Sequence, residues 1–200
     1  MWFRRLGGIA AAGLLMVALC ASPVMGQKGL GFRYTFGWQD MTGDFAEVLD
    51  AHVDSEFSIL WGFKAVRIGA GANWVSFAMD DVEESWNQIK AHFLLGFPFQ
   101  VSPGFRPYVE ARYTFRRLRP EGDRYFGGEE ELLGDFVAAG SGFEAVLGSE
   151  IVLGPKWAID LSGAYGQFST SPDLSELGLG DINSGGNWRV HAGITWFPVG

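Results

Sequence analysis

An all-β fold, an eight-stranded antiparallel up-and-down barrel that crosses a membrane, is predicted by three observations. After residue 27 apolar and polar residues alternate with period two over eight stretches, as strands with one apolar face do. Long acidic connections at roughly 40–54, 79–86, 118–141 and 169–186 take turns with short ones near 64–65, 99–106 and 153–156. That order puts both chain ends on the short-turn side, the layout of a barrel with short periplasmic turns and longer outside loops. Aromatics collect at both ends of the apolar stretches, as amphipathic rings do at two membrane interfaces.

The first strand, about 30–39, sets Leu30, Phe32, Tyr34, Phe36 and Trp38 against Gly31, Arg33, Thr35, Gly37 and Gln39. The second, 55–63, sets Phe57, Ile59, Trp61 and Phe63 against Glu56, Ser58, Leu60 and Gly62. The third, 66–78, sets Val66, Ile68, Ala70, Ala72 and Trp74 against Arg67, Gly69, Gly71 and Asn73, and loses the pattern from Val75. The fourth, 88–97, sets Ile89, Ala91, Phe93, Leu95 and Phe97 against Lys90, His92, Leu94 and Gly96. Pairing should end at Pro98, which has no N–H for the ladder, and Ser102-Pro103-Gly104 is turn chemistry. The fifth, 108–117, is the clearest, with Val109, Ala111, Tyr113 and Phe115 against Glu110, Arg112, Thr114 and Arg116.

The sixth, 143–152, is ambiguous, though Glu144, Gly148 and Glu150 share a face, and Gly154-Pro155 makes the next turn. The seventh, 157–168, sets Trp157, Ile159, Leu161, Gly163 and Tyr165 against Ala158, Asp160, Ser162, Ala164 and Gly166. The eighth, 188–197, sets Trp188, Val190, Ala192, Ile194 and Trp196 against Arg189, His191, Gly193 and Thr195. Each stretch is near the nine to eleven or so residues that a tilted strand needs to span a bilayer. Trp38, Trp74, Phe115 and Trp188 form the expected belt toward the long loops, and Phe97, Trp157 and Trp196 the belt toward the short turns.

Residues 1–26 read as a secretory signal and 27–200 as one barrel domain. Arg4 and Arg5 precede an apolar run from Leu6 to Leu19, Pro23 breaks it, and Val24-Met25-Gly26 offers a cleavage site before Gln27. An uncleaved anchor and a lipoprotein start at Cys20 are the alternatives. Without Arg4 and Arg5 the chain holds 13 basic residues against 23 acidic. That excludes a general nucleic-acid binder, which needs a basic footprint. If the lone Cys20 leaves with the signal, no disulfide can form, and an exported fold must close its own hydrogen bonds.

The polar face carries Arg33, Arg67, Lys90, Glu110, Arg112, Arg116, Glu144, Glu150, Asp160 and Arg189. Many are mid-strand, among small residues that leave room for long side chains in a narrow interior. The apolar face therefore points to lipid. A lipocalin-like secreted barrel, the alternative, would turn the apolar face inward around a ligand.

Signal, eight alternating strands, four long polar loops and a terminal amphipathic strand resemble the small outer-membrane barrels of the OmpA/OmpX/opacity-protein type. The resemblance covers about 28–200. It implies the outer membrane of a Gram-negative-type bacterium, contact with outer-membrane lipid and lipopolysaccharide, and insertion by the barrel-assembly machinery. The closing strand is similar to the signal which that machinery reads; such signals end on the aromatic, whereas Pro198-Val199-Gly200 follows Phe197 here.

An eight-stranded interior is just wide enough to be filled by side chains, and buried charges must be paired. Glu110, Glu150 and Asp160 are expected to neutralise Arg33, Arg112 and Arg189 in a plug that does not conduct; a narrow small-solute channel is the alternative. Of the 23 acids only Glu110, Glu144, Glu150 and Asp160 fall clearly within strands, with Glu56 at a strand end, so negative charge is expected mainly on the outside loops. The loop acids Asp80-Asp81, Glu83-Glu84, Glu129-Glu130-Glu131, Asp135, Asp173, Glu176 and Asp181 lack EF-hand spacing. They suit solvated loops or cation bridging to lipopolysaccharide phosphates.

His52 is expected in a loop, with His92 and His191 facing inward. A lipid-modifying outer-membrane enzyme would need nucleophile–base spacing around them; Ser162 and Asp160 share the face of His191 only by parity. No enzyme activity, cofactor or metal is expected. The role expected is structural or surface-interacting, through the loops; the apolar pairs Tyr125-Phe126 and Leu132-Leu133 of the longest loop are candidates to dock a partner.

Overall fold

The computed structural model describes residues 29–47, 52–63, 65–79, 82–121, 138–171 and 184–198. The signal segment 1–26 with Cys20, both apolar loop pairs, and the loop acids apart from Glu83 and Glu84 lie outside the described residues.

Eight strands close into one antiparallel barrel in chain order: β1 (Gly29–Thr42), β2 (His52–Phe63), β3 (Val66–Met79), β4 (Val82–Pro98), β5 (Phe105–Glu121), β6 (Ala138–Val152), β7 (Trp157–Ser171) and β8 (Ser184–Trp196). β1 pairs with β8, from Phe32↔Trp196 to Thr42↔Gly186, so no sheet edge is left open. Phe57, Phe32, Trp196 and Trp157 stack in a row across this seam, with neighbouring ring centroids 5.6–6.3 Å apart. Each such ring pair adds about 0.5–1.5 kcal/mol beyond its burial, so the closure is bolted from outside as well as hydrogen-bonded.

Strands run from 12 to 17 residues, longer than the alternation suggested. Most of the excess lies on the long-loop side, where β5 continues past Arg117 to Glu121; β5 also begins at Phe105, inside the expected 99–106 turn. The expected long connection at 79–86 is corrected. β3 reaches Met79, β4 starts at Val82, and Glu83 and Glu84 lie on β4. The ladder continues to Met79↔Val82 with a register shift at Ala78/Met79. His52 is likewise the first residue of β2, paired with Gln39, and not a loop residue. The physical reason is common to both. Past the apolar band of the outer wall the outward face is no longer apolar, so the backbone ladder persists where hydrophobic alternation does not mark it.

On the long-loop side Gly43 opens a 3-10 turn, Gly43–Glu47, at φ +73°, a left-handed conformation that glycine adopts without strain. On the other side the 99–104 turn is held by Phe99 N–H to Pro107 O at 2.8 Å.

The apolar face points outward on all eight strands. Trp74 is 61% exposed, Phe143 70% and Val190 57%, while the intervening Asn73, Glu144 and Arg189 are buried. This arrangement removes the lipocalin-like alternative, which needs the reverse. It also settles the ambiguous sixth strand: Phe143, Ala145 and Leu147 face out, and Glu144, Val146 and Glu150 face in.

Candidate functional site: the charged lumen

Packing inside the barrel is set by which residues alternate with the outward-facing apolar ones. All ten expected lumen residues, Arg33, Arg67, Lys90, Glu110, Arg112, Arg116, Glu144, Glu150, Asp160 and Arg189, are buried there. Six more ionisable side chains join them: Asp54, Glu56, His92, Arg106, Tyr108 and His191. Small residues make the room. Tyr108 faces Gly148 across the β5–β6 ladder, and a Cβ at Gly148 would run into its ring. A Cβ at Gly166 would likewise run into Cγ of Glu144.

One ladder of alternating sign climbs the lumen. At its foot the Tyr108 hydroxyl donates to Asp160 at 2.9 Å and accepts from Arg33 at 3.2 Å. Arg33 grips Glu110 with two parallel bonds of 2.8 and 2.9 Å, the strong bidentate geometry of guanidinium on carboxylate. Glu110 passes to Arg112 at 2.9 Å, and Arg112 to Glu56 at 2.8 Å. Glu56 takes Arg189 at 2.8 Å on the same oxygen, and Arg189 reaches Glu144 at 2.8 Å. Glu144 ends the series on Lys90 at 2.7 Å, with Arg116 3.9 Å away. Every cation from Arg33 to Lys90 has a carboxylate in contact, the condition under which buried charges are tolerated.

A second, smaller cluster lies below the foot of the ladder near the short turns, with Arg67 5.8 Å from the ring of Tyr108. Arg67 and Arg106 share Glu150, at 2.8 and 3.3 Å. Their guanidinium groups stand 6.0 and 5.6 Å from the ring of Phe197. Phe197 is buried, its N–H bonded to Lys156 O at 2.8 Å. The terminal aromatic thus closes the lower mouth from inside, and Trp196 is the last ring on the outer wall. At the upper mouth Met41, Phe45, Val75, Leu118 and Phe168 are buried, with Phe45 against Phe168 at 5.1 Å and Arg116 over Phe168 at 3.6 Å. Between the two mouths a void beside Arg112, Arg189 and His191 is too tight for a water-sized sphere.

Pairing differs from expectation in its details. Glu110 does hold Arg33 and Arg112, and Asp160 lies 3.7 Å from Arg33. Glu150 serves Arg67 and Arg106 instead, and Arg189 is held by Glu56 and Glu144. Glu56 is not a strand end but the central junction, because β2 begins four residues earlier at His52. Asp54 is buried too, in contact with His191 and Asn73, so acids are not confined to the outer loops. Parity was the available signal: Asp54, Glu56 and Ser58 alternate with Val53, Ser55 and Phe57.

His191 lies opposite Ser162 in the register but contacts Asp54 and, at 3.0 Å, Thr35. His92 lies 3.3 Å from Ser58, which donates to Glu56 at 3.2 Å. Both imidazoles are buried within the ion-pair packing. Among the described residues no three His, Cys, Asp or Glu side chains converge as a metal site.

Outside, the seven belt residues are exposed: Trp38, Trp74, Phe115 and Trp188 toward the long loops, Phe97, Trp157 and Trp196 toward the short turns.

No family model and no curated protein matches the chain. Among solved structures it is similar to Neisserial surface protein A, with a TM-score of 0.66 and 11% identity over 86% of this chain and 98% of that one. The attachment invasion locus protein Ail of Yersinia pestis follows at TM-score 0.49, with 13% identity over 84% and 99% of the two chains. The outer membrane protein OprG of Pseudomonas aeruginosa gives 0.49, with 15% identity over 86% and 98%. At such identities the first likeness establishes the fold: a closed, eight-stranded antiparallel barrel of the type seen in small outer-membrane proteins.

Proposed function

We propose that the chain is an integral outer-membrane barrel of a Gram-negative-type bacterium, exported by residues 1–26, with a structural or surface-interaction role and a closed lumen. One observation carries this reading. The outer wall is apolar and exposed on every strand, whereas the ionic side chains are packed inside. Such a surface is soluble only in lipid. The continuous ion-pair ladder and its apolar mouths support a plug over a channel, and the burial of His92 and His191 in that packing supports a structural role for both. Outer-membrane lipid and lipopolysaccharide would meet the wall, the barrel-assembly machinery would insert it, and any surface partner would meet the long connections.

Fractionation of cells expressing the full chain tests the reading. The protein is expected in the outer-membrane fraction, released only by detergent, migrating faster on unheated than on heated gels, and beginning at Gln27. Recovery as a detergent-free soluble monomer would overturn it. A start at an acylated Cys20 would replace the processing part with the lipoprotein route.

A further inference from the structure

Charge is not spread evenly along the lumen. At the foot of the ladder two acids share one cation: Arg33 lies 2.8 Å from Glu110 and 3.7 Å from Asp160. At the head the proportion is reversed. Lys90, Arg189 and Arg116 converge on Glu144 at 2.7, 2.8 and 3.9 Å. Arg189 also has Glu56, but Lys90 and Arg116 stand directly opposite each other in the β4–β5 register, and like charges so placed repel.

Arg116 is the cation left short. Its Nη2 donates to Asn187 at 3.2 Å, while its buried Nε and Nη1 have no hydrogen-bond partner among the described residues. Two nearby hydroxyls are buried in the same state, Thr114 Oγ1 on the same strand and Thr170 Oγ1 in the cross-strand row Arg116–Gly140–Thr170. Gly140 puts no side chain between them, and the Arg116 guanidinium reaches across to the ring of Phe168 on β7. A guanidinium stays charged, and a buried charge needs a partner of opposite sign.

We propose that the head of the ladder binds one small monovalent anion, a halide, which completes the pairing of Arg116 beside Lys90 and accepts from the Thr170 hydroxyl. A monatomic anion suits the site better than an oxyanion because the packing is close: a Cβ on Gly140 would stand 3.1 Å from Thr170 Cγ2, and one on Gly142 2.7 Å from Cβ of Phe168. The site lies just beneath Leu118 and Phe168 of the upper mouth and takes its anion from that end.

The test starts from the full barrel folded into vesicles in sodium gluconate, whose anion is too large for the site. Chloride then replaces gluconate at constant ionic strength, which keeps screening fixed. Denaturant unfolding should show stability rising with chloride; once the site is nearly full, each tenfold rise should lower the unfolding equilibrium constant about tenfold. Arg116→Gln should remove the dependence. Arg117→Ala, its neighbour on the outward face, should leave the dependence unchanged. Heat-dependent gel migration shows that each variant is folded. Wild-type crystals grown in bromide give a second reading that needs no variant: one anomalous peak within hydrogen-bond distance of Arg116 Nε or Nη1. Stability indifferent to chloride, the same chloride dependence in Arg116→Gln, or bromide found only away from Arg116 would overturn the proposal.

Discussion

The two walls of this barrel are made by the same eight strands and held by opposite physics. Outside, contacts are non-directional: Tyr113, Phe115 and Phe143 cluster with centroids 4.9 Å apart, and neighbours can slide without loss. Inside, each position is specified by charge and direction, as in the double bond from Arg33 to Glu110. The outer wall therefore tolerates exchange among apolar residues, whereas the inner wall tolerates removal of a pair but not of one partner. Polar residues inside and apolar residues outside invert the soluble plan because the solvent is inverted.

Breaking the inner wall at its junction should have the largest effect. Glu56→Gln leaves Arg112 and Arg189 each short of a buried carboxylate and should lower stability by about 3–5 kcal/mol, read from denaturant unfolding of the vesicle-inserted barrel. Arg112→Ala should fall in the same range, since it takes one cation from each of Glu56 and Glu110. A loss under ~1 kcal/mol in both would show the ladder to be wet and exchangeable.

The outer wall breaks differently. Ala111→Arg puts an uncompensated charge toward the bilayer midplane and should cost about 2–4 kcal/mol, whereas Thr114, buried on the inner face of the same strand, lies among cations that already have partners. A penalty for Ala111→Arg no larger than that for Ala111→Leu would contradict the face assignment.

A smaller cut sharpens the comparison at the foot of the ladder. Tyr108→Phe removes one hydroxyl, leaving Asp160 without its closest donor, and should cost about 1–3 kcal/mol. Smallest of all, Arg117→Ala removes an exposed side chain above Phe115 and should shift stability by no more than about 0.5 kcal/mol.

How much of this was legible follows the same division. Alternation reads out a face wherever lipid lies on one side, so the outer walls of β1, β5 and β8 could be taken residue by residue from the sequence. It falls silent where both faces meet water, which is why the upper end of β4 passed for a loop. Within the lumen, parity shows that Glu150 and Arg67 point inward but not that they meet. That depends on the stagger of strands around the barrel, a property of closure rather than of any one segment. Glu56 was assigned to a strand end for the former reason, and its role as the junction was hidden for the latter. Phe197 shows a third limit. Its parity matches Thr195 on the inner face, but alternation alone does not say that its ring meets Arg67 and Arg106 at the lower mouth.

A lumen filled by paired charges and shut by aromatic mouths should carry no current. Planar-bilayer recording of the wild-type barrel tests this most directly. The account predicts no steady conductance above the bare membrane, with openings emerging only when the packing is cut, as in Glu56→Gln or Phe197→Ala. Steady, large, ion-selective conductance from the unaltered protein would contradict the plug and make the barrel a channel.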